Sequence, residues 1–193
     1  IDWIVQVEAL ARRIDAVNLI VTANTRAERQ AAAQQASGED RLQILYDLAA
    51  DDFIASDAAA SRQSLAAFEH EIAAQRDIRY GAMAQLLRAY SPALDGDYVA
   101  ARSNLTAALA TTHDVMARAA GSRLLAYDLT DLGLFANSLE TASAGLMHLP
   151  DTPATRSLRS GLHDAMAYNA VRVCDYPTPL THLQRTVDLD TAS

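Results

Sequence analysis

The sequence contains no lysine, a single cysteine and few of the residues that interrupt helices: its Lys+Arg total of 16 is arginine throughout, with 7 Gly and 5 Pro in 193 residues. Each shortage excludes something. One cysteine, Cys174, leaves no internal disulfide framework and no cysteine-rich zinc site. Aromatic residues make up 6% of the chain and β-branched ones are thin, which argues against sheet. No apolar run reaches the length of a membrane span; the longest candidate, Ile14 to Val21, is broken by Asp15 and Asn18. No signal-peptide pattern is visible. The chain opens at Ile1 without Met, which reads as an excised domain or a processed product, so cytoplasm and periplasm both stay open. With a net charge of −8 the chain offers no basic stripe for a phosphate backbone, and nucleic acid is not an expected partner.

What is abundant is alanine. Half of the residues are apolar and 21% are charged, the balance of a folded chain, and the alanine excess makes it helical. Alanine together with arginine in place of lysine fits a high-GC bacterial genome. The fold class expected is all-α.

The first 36 residues form one unit. Trp3, Val7, Leu10, Ile14, Val17 and Val21 recur in steps of four and three, a heptad seam on one helical face. Three roles fit it: a cap packed on its own chain, a connector, or the seam of a homodimer. Ser37-Gly38-Glu39-Asp40 then reads as a break and a new helix start. Residues 37–193 follow as an array of about four helical hairpins. Helices are expected at 40–55, 58–75, 78–93, 97–111, 114–132, 135–148, 154–173 and 177–190, with short breaks that make neighbours antiparallel.

An internal period runs through this array. Tyr98, Phe135 and Tyr176 open the second helices of successive hairpins, 37 and then 41 residues apart. Nine residues before them lie Ala89, Ala126 and Ala167; three after, Ala101, Ser138 and Pro179; ten after, Ala108, Gly145 and Thr186; eleven after, Leu109, Leu146 and Val187. Gly96 and Gly133 precede the first two. Small residues at fixed places let helices approach closely, with the aromatic filling the wedge. This spacing resembles the tetratricopeptide repeat, whose standard unit is roughly 34 residues. The resemblance is strongest over 85–150 and implies hairpins stacked as a right-handed superhelix. Departures are Pro92, Gln85 and Arg88 in one first helix, a degenerate first hairpin, and Cys174 where glycine would stand.

Chemistry is hard to find. No histidine follows Asp or Glu at the spacing of a di-iron bundle, and no zinc helix, phosphate loop or nucleophile elbow occurs. Glu69-His70-Glu71 is read as a solvated face, Cys174 as a structural thiol, and Asn104-Leu105-Thr106 as a sequon inside a helix. Catalytic residues, metals and cofactors are therefore not expected. The residues that stand out are Tyr90, Tyr127 and Tyr168, eight before each anchor aromatic. In a tetratricopeptide-like stack that position faces the concave groove. One turn earlier stand Leu86, Arg123 and Asp164, and Tyr46 is an uncertain extension of the row. Two readings stay open: a binding groove of phenols with one guanidinium and one carboxylate, or tyrosines wedged between hairpins.

In texture the array resembles those that precede output domains in bacterial signalling proteins, notably diguanylate cyclases with a GGDEF domain. That implies a non-catalytic sensor or regulatory module for a protein, peptide or small-molecule ligand. The alternative is a scaffold or adaptor holding a peptide or partner helix in the groove.

Overall fold

The computed structural model describes residues 26–173 and Arg185. The heptad seam, Cys174, Tyr176 and, apart from Arg185, the expected helix at 177–190 lie outside the described residues. Among the described residues every regular element is helical: α1 (26–35), α2 (Gly38–Ile54), α3 (Ala58–Gln75), α4 (Ile78–Tyr90), α5 (Tyr98–Thr111), α6 (Val115–Asp131), α7 (Phe135–Met147) and α8 (Arg156–Arg172). None of these helices is long and apolar enough to cross a membrane.

Local chemistry sets the boundaries. Asp57, Asp77, Asp97 and Asp114 are N-caps whose carboxylates accept from backbone N–H groups of the first turn, satisfying donors that a helix start leaves open. Three turns end in a residue with positive φ: Ser56 (56°), Gly96 (81°) and Gly133 (74°). After each, an amide reaches back five residues, Asp57 to Asp52 O, Asp97 to Pro92 O and Leu134 to Leu129 O, closing the preceding helix. The helix expected over 78–93 ends at Tyr90, because Pro92 lacks an amide hydrogen and Ser91–Asp95 winds into a 3-10 turn.

The even-numbered helices form a layer. α2 packs on α4, α4 on α6 and α6 on α8, while α3, α5 and α7 each lie against the even-numbered helices on either side. The layer curves enough for α2 to touch α6 directly. Helix α6 is the hub. Ala117, Ala119, Ala120, Gly121 and Ala126 are buried, and their small side chains let five neighbours, α2, α4, α5, α7 and α8, close around one helix. A Cβ on Gly121 would meet Leu109 at 2.7 Å and Leu86 at 3.0 Å; one on Gly145 would meet Ser122 at 2.9 Å and Leu162 at 3.0 Å. An added methyl group would force the Leu109 side chain to shift at Gly121 and would crowd the Ser122 Cβ at Gly145. Ala126, Ala167, Ala101 and Ser138 are buried, and Ala89, Ala108, Leu109 and Leu146 pack against the core from its margin.

α1 is held by ions. Arg26 donates twice to the buried Asp52, at 2.9 and 3.1 Å, and Arg41 ties the Ala33 carbonyl (2.9 Å) to Glu71 (2.8 Å).

Candidate functional site

The expected groove residues fall in two places. Tyr46 and Tyr90 are core residues, 0% and 2% exposed, and neither lines an open surface. This corrects the reading of them as groove residues, and the cause is apolar packing: Tyr46 lies 5.9 Å from Phe68, and Tyr90 lies 6.3 Å from Phe53. Tyr127 is buried as well, with its ring 5.3 Å from that of the half-buried Tyr168.

The phenol hydroxyls serve as ties between even-numbered helices. Tyr80 donates to Gln43 at 3.2 Å, Tyr127 to Asp164, and Tyr168 to Asp131 at 2.8 Å. Arg172 lies over the Tyr168 ring, 5.0 Å from its centroid, and donates to its hydroxyl. Burial raises the Tyr46, Tyr90 and Tyr127 phenols well above the ordinary range, so all three stay neutral, and Tyr127 donates to Asp164 as a neutral phenol.

Arg123, Tyr127 and Asp164 do come together. Arg123 and Asp164 line a polar cavity of about 170 Å³ with Arg29, Asp47, Asp51, Ser157, Ser160 and Gly161. Four helices meet there: α1, α2, α6 and α8. Arg123 is 7% exposed and donates to Asp51 Oδ1 at 2.8 Å, across 72 residues of sequence; Arg29 pairs with the other oxygen of the same carboxylate. The two guanidiniums share one carboxylate, each making a charge-assisted hydrogen bond to a different oxygen. Desolvation opposes the Arg123 charge, but Asp51 more than offsets it, and its pKa is raised above the ordinary range. Its Nε has no hydrogen-bond partner.

Asp47, one turn before Asp51, is half-buried and accepts from the Gln43 amide at 3.1 Å. Burial and the neighbouring Asp51 charge push its carboxyl up to about 6, against the pull of Ser157, Arg29 and Arg123. Gly161 gives the guanidinium room: a Cβ there would lie 2.5 Å from Arg123 Nε.

Arg123, Tyr127 and Asp164 belong to the row expected from the sequence, whereas Asp47, Asp51, Ser157, Ser160 and Gly161 do not. Two signals were available. Asp47 and Asp51 stand one helical turn apart on one face, and Gly161 interrupts a helix where alanine is otherwise the default small residue. Nothing local, however, links 51 to 123 or 161. Among the described residues no group of three or more His, Cys, Asp or Glu could hold a metal ion. The lining of the cavity offers charged and hydroxyl groups. In comparisons with known proteins, the chain matches no family model, no curated protein and no solved structure.

Proposed function

We propose that this chain is a non-catalytic binding module of tetratricopeptide-like hairpins, and that the polar cavity on its even-numbered helices is the sensing site of a regulatory domain. The observation that carries the reading is the convergence of Asp51, Arg123 and Asp164, from three helices far apart in sequence, on one small cavity. A ligand seated there touches α2, α6 and α8 at once. Its binding energy is then spent on the spacing of the stack, the kind of differential contact that shifts a domain between two arrangements.

Several features favour the stacked-hairpin part. Consecutive even-numbered helices are neighbours, the turns at Ser56, Gly96 and Gly133 share one closure, and the Tyr80, Tyr127 and Tyr168 ties all span 37 residues. The output that fits the texture of the sequence is a fused bacterial signalling domain such as a diguanylate cyclase. An adaptor that takes a peptide is the second reading. It draws on the size of the cavity, which suits one polar side chain and lies below the roughly 300 Å³ lower bound of drug-sized clefts.

The test is a chimera of the full chain joined at its C-terminal end to a diguanylate cyclase domain. Product formation is compared for the parent and for Asp51→Asn with Arg123→Met, which removes the central ion pair without leaving a lone buried charge. Altered output with unchanged helical content by circular dichroism is expected. Equal output from two equally folded chimeras refutes the regulatory reading.

A further inference from the structure

We infer that the cavity on the even-numbered helices takes an organic cation, the ammonium or guanidinium of a basic ligand; the inference rests on that cavity being the binding site. The argument is an inventory of charge. Five ionised groups line it: Arg29 and Arg123 against Asp47, Asp51 and Asp164. Both guanidiniums are spent on Asp51, one on each oxygen. Among the described residues Asp164 receives the neutral Tyr127 hydroxyl, and Asp47 the Gln43 amide and the Ser157 hydroxyl. Among the described residues neither Asp47 nor Asp164 forms an ion pair, and Arg29 and Arg123 act on Asp47 only from beyond contact distance. A carboxylate withdrawn from water without a counter-charge is costly, and a bound cation removes that cost.

The rest of the lining agrees. Ser157 and Ser160 add hydroxyl oxygens that can accept, and Gly161 adds no bulk. An anion fits poorly, since it would displace Asp51 from its two arginines and sit beside Asp47 and Asp164. The volume of about 170 Å³ holds a single functional group with a short stem rather than a cofactor. The overall charge of −8 favours the approach of such a ligand from a distance.

Two sources supply this chemistry, a free small amine and a basic side chain of a peptide. The experiment uses the full chain and isothermal titration calorimetry at low salt, with L-arginine, putrescine and a capped Gly-Arg-Gly peptide as probes. L-Citrulline is the neutral isostere of arginine, and L-glutamate and inorganic phosphate are the anions. At least one cationic probe is expected to saturate, with citrulline binding at least tenfold more weakly. Asp164→Asn and Asp47→Asn should each weaken the cation at least tenfold; Asp47→Asn, which removes an unfavourable charge, keeps the test independent of folding. Tighter binding of the capped peptide assigns the cation to a partner's side chain, and tighter binding of free arginine or putrescine assigns it to a small molecule. Citrulline binding as well as arginine, or cation binding untouched by both variants, overturns the inference. Saturable binding of glutamate or phosphate that Arg123→Met abolishes overturns it too, while leaving the cavity as the site. Absence of binding by every probe overturns it as well, and only together with a silent chimera does the site itself fall.

Discussion

Arg123 lies so close over Gly161 that a methyl group added there would sit 2.5 Å from its Nε and 2.7 Å from both Cδ and Cζ. An ordinary helical glycine gains stability, roughly 0.5–1 kcal/mol, when replaced by alanine. This one is expected to lose about 1–3 kcal/mol, because the added carbon displaces a buried guanidinium from Asp51. Urea denaturation of Gly161→Ala decides the sign. In an Arg123→Met background, where a flexible side chain can yield, the penalty should shrink, and a double-mutant cycle reads that coupling.

Ser56 occupies the left-handed position that glycine holds at 96 and 133. A non-glycine residue there carries a cost of roughly 1 kcal/mol. Ser56→Gly is therefore expected to raise the melting temperature and Gly96→Ala to lower it, each by a few degrees. A fall for Ser56→Gly would mean that the serine side chain compensates its backbone.

Asp128 is fully buried, and neither carboxylate oxygen has a partner. Burial, with Asp131 adding repulsion and Arg102 opposing it, raises its carboxyl to about 7. In the unfolded chain it titrates near 3.9. Between about pH 4 and pH 7 the folded state holds a proton that the unfolded state has released, so stability falls as pH rises through that window. The full effect is on the order of a few kcal/mol at about 1.4 kcal/mol per pH unit. Asp128→Asn should flatten this fall: more stable than the parent at pH 8, similar at pH 4. Parallel stability profiles for the two proteins would refute it.

The two tyrosine ties differ in depth. Tyr127 is buried where it donates to Asp164, whereas the Tyr168 tie to Asp131 is exposed. Tyr127→Phe is expected to cost about 1–2 kcal/mol, since Asp164 then loses a buried donor. Tyr168→Phe should stay within about 0.5 kcal/mol. Equal denaturation midpoints for the two variants would contradict this ordering.

The helices were legible because their signals are local. Asp57, Asp77 and Asp97 at helix starts, and Gly96 and Gly133 at helix ends, act within one turn of where they stand, and the expected boundaries agree with the described ones to within three residues, the largest difference falling at the Pro92 turn. The tyrosines were harder. Their spacing says that they share a face, but a phenol on an inner face can bury its ring or offer it, and Tyr90 and Tyr127 bury theirs while Tyr168 is half-exposed.

The amino-acid sequence by itself determined an all-helical chain, its breaks and the small residues that let helices approach, since propensity, capping and side-chain size act over a few residues. Only the tertiary structure decided which carboxylate Arg123 would meet. Asp51 lies 72 residues away, and their 2.8 Å contact depends on the curvature that brings α2 against α6, a sum of packing angles over several helices that no local pattern records.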